Sequence, residues 1–571
     1  MIKKIIANIF NTKVDAIGLS VFRMAYILVL FSEVFQLFKF RNIVYDKIPF
    51  VDSGELYVGF IFLIWFVALF LLFIGLFTRT AALINYIFSM IIFSSAHEFE
   101  YHVFYAYVGI NLLLLFMPIS RVFSLDSLIQ KLKFTNIGRP FKVDRKVLEI
   151  NYLVVVFTVL GLVYFDSVFR KLMSPMWTDG LGMWMPSSLP MVVWTDTTFL
   201  LNQEFLVKFF GYLVIVFESV FIFLFWFKKF RWPLLLLGIF FHLGILVTYP
   251  IPWFALTAVV SYFLLVPQEF WLSISEKLKS KTTSYKFYYD AECPLCNKVV
   301  VIIKHFDIFN KINCLTVQAH AASDAALIGK TEDELFLNIH GVDQAGKVFV
   351  GFDAYVALLK KMIYTYPIGL LIGLPGISYI GKKVYNYVAG NRLTVRCTSE
   401  NCSMPVFSEP IDEKTNFLIS GWNRLNVSKN FWKIIIVLFF AWQLVLISLA
   451  PLFMELKYKN PLGKQLLALK ATIGMPIIKA TGLGIHPVFM YNIHFEGYNH
   501  IFKVVCNKNQ KTVPLLDDNG MVTNSYANGA FWVNYTFRVS SNKLHQDQSA
   551  AAPGIAAGYG LPSRRHQYSL P

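Results

Sequence analysis

Charge is scarce in this chain. Asp, Glu, Lys and Arg make up 15% of its 571 residues, against 56% hydrophobic residues and a mean hydropathy of +0.54. A soluble protein of this length needs more polar surface, so the deficit excludes a soluble globular enzyme and points to an integral membrane protein. Acid is scarcer than base, and the net charge is +17. The excess does not form a nucleic-acid-binding face. It clusters in short loops between apolar runs, which is the positive-inside pattern, and no nucleic-acid partner is expected. Cysteine is rarer still. There are six, and none precedes Cys293. The first half therefore cannot relay electrons by thiol exchange, and a relay across a bilayer would need a diffusible carrier such as a quinone. The start, "MIKKIIANIFNTK", lacks a small-residue cleavage site, so no cleavable signal peptide is expected.

What is abundant is apolar sequence. On the criterion of roughly 20 apolar residues per span, the first half holds eight candidate spans, near 17–38, 57–77, 80–97, 101–118, 148–169, 205–227, 232–249 and 251–267. A ninth run covers 431–453. Lys3, Lys4 and Lys13 place the N-terminus in the cytoplasm. Lys131, Lys133, Arg139, Lys142, Arg145 and Lys146 place the loop after the fourth span there too, as Lys228, Lys229 and Arg231 do for the turn after the sixth. Alternation then leaves 268–428 cytoplasmic and everything after 454 outside. The expected setting is a bacterial inner membrane, with lipid as a constant partner.

Six segments follow: a transmembrane bundle over 1–270, an α/β domain over 284–395, a linker with a cysteine pair over 396–428, a further span over 429–453, a small β-rich extracytoplasmic domain over 454–543 and a low-complexity tail over 544–571 expected to be disordered. In the α/β domain "KFYYD" reads as a strand, "CPLCNKVVVIIKHFD" as a helix, "DELFLNIHG" and "KVFVG" as strands joined by a "VDQAG" turn, and "FDAYVALLKKM" as a helix. The fold class expected is a mainly α polytopic membrane bundle carrying a cytoplasmic α/β domain and a small β domain outside. The outer domain is a candidate surface for an extracytoplasmic protein partner.

The dithiol carries the most specific chemistry. Cys293 and Cys296, spaced C-x-x-C, follow a strand and open a helix. Unpaired N–H groups and the macrodipole at a helix N-terminus favour an anion, which lowers a thiol pKa and yields a reactive thiolate. Cys293 is then the attacking sulfur, and Cys296, one turn on, resolves the mixed disulfide formed with a thiol-containing protein or small molecule. Pro294 suits the first turn, where its missing N–H costs nothing. The competing reading is a zinc site of four thiolates with Cys397 and Cys402. A strand-to-helix C-x-x-C favours redox use, and no metal is assigned. Cys314 and Cys506 read as packing residues.

"YYDAECPLCNKVV" resembles the DCC family of thiol–disulfide oxidoreductases, whose D-x-x-C-x-x-C pattern Asp290, Cys293 and Cys296 fill. The resemblance continues through "GKVFVGFDAYVALL", with Asp353, to "LIGLPGISYIGKKVYNYVAGNR". It implies a thioredoxin-like domain, a catalytic dithiol and a site role for Asp290. No proline lies between Pro294 and Pro367, so this segment cannot supply a cis-proline opposite the dithiol.

Ionisable residues inside spans mark sites by default. Here they are Arg23, Glu33, Asp166, Glu218 and His242, with His102 and Lys171 at span ends. Taken singly, Arg23 and Lys171 read as snorkelling side chains and His102 as a helix cap. Taken together, His102, Lys171 and His242 all fall near the outer face, where a lysine against apolar walls can act as a base. "GLSVFRMAYILVLF", "YHVFYAYVGINLLLLFMPISRVFSLD", "FRKLMSPMWTDG" and "FHLGILVTYPIPWFALTAVVSYFLLVP" resemble the HTTM domain shared with vitamin K-dependent gamma-carboxylase. That resemblance implies that Lys171, ahead of Trp177 and Gly180, is a base toward reduced vitamin K or a related quinone-type ligand, and that His242 matches a histidine on a later span. No cofactor follows from the residues alone.

Three functions compete on these grounds: a membrane-anchored thiol–disulfide oxidoreductase with a quinone-type site in its bundle, a carboxylase-like or epoxidase-like enzyme based on Lys171, and a non-enzymatic scaffold. The dithiol favours the first. With the dithiol inside and Lys171 near the outer surface, roughly the ~30 Å hydrocarbon thickness separates them.

Overall fold

A computed structural model describes residues 8–45, 58–96, 101–136, 144–189, 192–393, 427–456 and 470–485, with short pieces at 465, 504–506, 512–513, 528–529 and 568–570. The chain divides into two units. One comprises Met1–Phe123, Arg145–Pro267 and Gly421–Pro571, and the other Ser124–Asp144 and Gln268–Ser420.

The first unit is helical because its apolar runs can satisfy their backbone groups internally only as helices. Every run expected to span is a helix. Five are long and apolar enough to cross a membrane: Ile17–Lys39, Ile150–Leu172, Glu204–Leu224, Lys228–Thr248 and Lys429–Ser448. Val58–Ile74, Thr78–Ser94 and Val103–Leu114 are shorter, and Pro252–Leu265 meets Gln268–Leu278 at a 91° bend. The fifth expected span is the most enclosed, and its ladder loosens into a π turn at Phe157–Gly161. The Lys429–Leu456 helix joins the bundle: the Phe165 and Phe440 rings lie 5.6 Å apart, and Trp442 Nε1 donates to Leu483 O at 3.0 Å.

A two-stranded ribbon, unforeseen from hydropathy, precedes two of these helices. Lys13–Asp15 runs antiparallel to Lys146–Leu148, with Val14 opposite Val147. Tyr152 staples it, donating to Asp15 O at 2.5 Å and accepting from Leu19 N at 3.1 Å.

Buried charge in the bundle is held rather than snorkelled. The expectation for Arg23 fails: it is fully buried and donates to Ile119 O and Phe123 O, each at 2.5 Å. Carbonyls left open past a helix C-terminus are good guanidinium acceptors, which is why the side chain turns inward. Arg231 pairs with Glu149 at 2.7 Å, both buried.

The second unit centres on a four-stranded sheet in the order Ile312–Thr316, Tyr285–Tyr289, His340–Asp343, Val348–Val350. The first two strands are parallel and bridged by the helix Pro294–Phe306. The others are antiparallel, with His340 opposite Val350. Both faces are covered. Tyr285 and Phe287 pack with Val300, Ile303 and Leu358 on one side, while Tyr288 packs with Val317, Leu327 and Leu335 on the other. Gly341 is required here, because a Cβ would lie 1.7 Å from the Tyr285 hydroxyl, which donates to Ala354 O at 2.9 Å.

Two readings of this domain are corrected. "DELFL" is a helix, Glu332–Leu337, not a strand. Thr331 and Glu334 form a capping box there, and local capping outweighs the apolar alternation. The strand Ile312–Thr316 was missed because its polar "INCLT" shows no alternation. Part of the segment after the fourth expected span forms the helix Leu125–Asn136 within this unit.

A third sheet joins Val504–Cys506 to Thr512–Val513 (antiparallel) and to Tyr568–Leu570 (parallel). The last strand lies in the tail expected to be disordered, where the ladder satisfies its backbone groups. Within 454–543, expected to be β-rich, Lys470–Thr481 is instead helical, and most of the rest of 454–571 lies outside the described residues.

Candidate functional site

The dithiol sits where strand gives way to helix. Cys293 is the residue before the first turn, with extended backbone (φ −84°, ψ 113°), and Pro294 opens the helix. The Cys296 N–H donates to Cys293 Sγ at 3.3 Å. An end-of-helix amide is thus aimed at the first sulfur, as expected for a thiolate held by the helix N-terminus.

Asp290 organises the loop in front of the sulfurs. Its Oδ1 accepts from Glu292 N at 3.0 Å and from Gln318 Nε2 at 2.7 Å. Gln318 Oε1 in turn accepts from Ala291 N at 3.2 Å, and Asn297 Nδ2 donates to Ala291 O at 2.8 Å. Gln318 and Asn297 were not foreseen. Gln318 follows the missed strand, and only pairing of that strand with Tyr285–Tyr289 brings it to the loop.

Cys293 and Cys296 are both buried, at 4% and 2% exposure, and neither these two nor Cys314 is in a disulfide. A cavity of about 410 Å³ lies on the Cys296 side. Its walls are apolar: Leu295 and Val299 from the dithiol helix, Phe352 and Tyr355 from Phe352–Lys361, and Val384 and Val388 from Pro375–Leu393. Cys314 lies on the neighbouring strand opposite Phe287, and burial pushes its thiol up to about 11. It stays protonated at neutral pH, as a packing residue should. Cys397 and Cys402 lie outside the described residues.

In the bundle, Lys171 and His242 enter one cluster. Contrary to a snorkelling side chain, Lys171 is 5% exposed. Its Nζ donates to Glu218 Oε1 at 2.5 Å and lies 4.5 Å from the Trp177 ring centroid. Turning inward lets it meet a carboxylate and a π-face where lipid offers neither. Trp177 itself fits because Gly182 lacks a Cβ, which would lie 2.1 Å from the indole. His242 Nδ1 donates to Gly238 O at 2.8 Å, and its ring lies 5.8 Å from Tyr262 and 6.3 Å from Tyr164. The two tyrosine hydroxyls share a hydrogen bond of 2.6 Å. Glu218 Oε2, buried, has no hydrogen-bond partner among the described residues. His102 lies one residue before another helix of the bundle, Val103–Leu114, without a side-chain cap bond, and its neighbours Tyr101 and Phe104 pack toward Glu33 and Phe93. Glu218, Tyr164 and Tyr262 were not assigned to a site from sequence. Glu218 stood out as a charge within a span, but its partner emerges only from helix packing.

The dithiol therefore stands at a strand-to-helix junction, with Cys296 in the wall of an apolar cavity. Residues 287–398, about a fifth of the chain, match the family described as DCC1-like thiol-disulfide oxidoreductase. No curated protein and no solved structure matches the chain. The family match lies outside the bundle, and the comparisons bring no support to the HTTM resemblance.

Proposed function

We propose that this protein is a multi-pass membrane thiol–disulfide oxidoreductase whose working dithiol is Cys293–Cys296. The observation that carries the reading is the Cys296 amide directed at Cys293 Sγ, within a segment that matches a thiol–disulfide oxidoreductase family. In the reducing direction the Cys293 thiolate attacks a disulfide sulfur of the partner. A mixed disulfide forms and one partner thiolate leaves, taking up a proton. Cys296 then loses its proton and attacks Cys293 Sγ, releasing the second partner thiol. Two electrons pass to the partner, and the chain keeps the Cys293–Cys296 disulfide. The strand order supports a thioredoxin-like core, and Asp290 serves as a positioning residue for the loop.

The domain is assigned to the cytoplasmic side of a bacterial inner membrane. The ribbon supports one side for Lys13 and Lys146, both basic flanks of spans.

The test is trapping. In the full-length protein, Cys296→Ser should accumulate a mixed disulfide with a disulfide substrate on Cys293, and Cys293→Ser should not. Equal trapping in both variants, or an ordinary Cys293 pKa near ~8.5 by alkylation, would reject the assignment.

A second reading concerns the bundle. Lys171, Glu218, Trp177 and His242 gather buried polar groups beneath aromatic rings, which favours a quinone-type ligand in an HTTM-like domain, with Lys171 as base. Analysis of lipid-soluble compounds extracted from the purified protein tests it. A Lys171→Ala variant that retains the same bound compound counts against the site.

A further inference from the structure

The C-terminal part of the dithiol domain shows the solvent an apolar face that a soluble domain would bury. In the helices Tyr366–Ile372 and Pro375–Leu393 and the connection between them, Tyr366, Ile368, Leu371, Leu374, Ile380 and Tyr387 are 46–74% exposed. Ile377, Ile380, Val384 and Tyr387 recur at helical spacing, so one side of the longer helix is apolar and open. The opposite side lines the domain, where Ala389 is buried and Tyr385 accepts from Ile339 N at 3.0 Å.

Charge completes the pattern. From 354 to 393 there is no Asp or Glu, while Lys360, Lys361, Lys382, Lys383 and Arg392 are all basic. Lys383 rests its stem on the helix and lies 4.6 Å from the Tyr379 ring centroid, and Lys382 is half-exposed beside Asp353 at 2.9 Å. An open apolar stripe rimmed by lysines, with tyrosines at its margin, has the chemistry of a helix lying in a membrane interface. Membrane-crossing helices occur on both sides in sequence, at Lys228–Thr248 and Lys429–Ser448, so lipid is within the tether of this domain.

We propose that Tyr366–Leu393 docks on an anionic lipid surface, its apolar stripe entering the headgroup boundary and its lysines meeting lipid phosphates. Because Val384 and Val388 also wall the Cys296 cavity, docking brings the mouth of that cavity to the lipid. The docking stands whether or not the dithiol is redox-active.

The test is hydrogen exchange on the full-length protein in nanodiscs of phosphatidylcholine alone or with phosphatidylglycerol. Amides of 366–393 should exchange at least about tenfold more slowly with phosphatidylglycerol, since each basic residue near an anionic surface adds to binding. Reversing Lys360, Lys361, Lys382 and Lys383 to Glu should abolish the difference. An Ile380→Ser, Tyr387→Ser variant, which alters only exposed positions, should weaken protection in both discs. Exchange of Tyr285–Tyr289 reports that the domain remains folded. Equal exchange in both discs and in detergent overturns the proposal. Protection that appears only with an added protein, and not with lipid, also overturns it and assigns the face to a protein partner.

Discussion

Cys293 and Cys314 are two thiols of one sheet-and-helix domain with opposite surroundings. An amide points at Cys293 Sγ, while burial pushes Cys314 up to about 11. At pH 7 an alkylating reagent small enough to enter the Cys296 cavity should modify Cys293 well before Cys314, and mass spectrometry of digested protein reads the order directly. Modification of Cys314 first would mean that access, not thiolate character, governs reactivity. Lys171 makes the complementary case in the bundle. Lys171→Met leaves Glu218 as an unpaired buried carboxylate, which costs about 3–5 kcal/mol. The thermal midpoint should fall sharply, and Glu218→Leu added to Lys171→Met should restore most of the loss. A single variant as stable as the parent would show that the pair is not formed. Neither partner's importance was legible from its own position. Arg23 and Lys171 sat where snorkelling is the ordinary expectation, and only the carbonyls and carboxylate supplied by other helices turned them inward.

Between elements, the helix Leu125–Asn136 and the dithiol helix meet through one titratable contact. Lys131 Nζ lies 3.2 Å from His305 Nδ1, and burial with that ammonium holds His305 down at about 4 from an ordinary 6.5. The folded state therefore favours neutral His305. Its stabilising contribution is present above about pH 6.5 and is lost as pH falls toward about 4. Hydrogen exchange of 125–136 should accelerate across that window, and His305→Gln should flatten the dependence. Acceleration that persists in His305→Gln would place the titrating group elsewhere. The strand Tyr285–Tyr289, the dithiol helix and the helix Phe352–Lys361 were readable from periodicity and turn residues. "DELFL" was misread because a capping box decided the state of a segment whose alternation suggested a strand. "INCLT" was missed because it is a short edge strand, made a strand by its pairing with Tyr285–Tyr289 and not by any alternation of its own.

At the scale of the molecule, an antiparallel ribbon ties the start of the chain to the segment before Ile150–Leu172, and Ser124–Asp144 belongs to the dithiol unit. The ribbon holds Lys13 beside Lys146, and the helix Leu125–Asn136 holds Lys131 and Lys133 in the unit of the dithiol helix. Single cysteines introduced at Lys13, Lys133 and Lys298, each in a background in which the native cysteines are serine, should react with a membrane-impermeant maleimide from the same side. Labelling of Lys298 from the side opposite to Lys133 would refute the arrangement.

The amino-acid order alone determined that the chain carries helices long and apolar enough to cross a membrane, where its apolar runs lie and that a C-x-x-C opens a helix, because hydrophobic length, periodicity and end-of-helix chemistry are local properties. Tertiary structure alone decided that Gln318 and Asp290 brace the dithiol loop, that an apolar cavity reaches Cys296, and that Lys171 meets Glu218. Those pairings join residues tens of positions apart, and no local pattern encodes which helix or strand will be packed beside which.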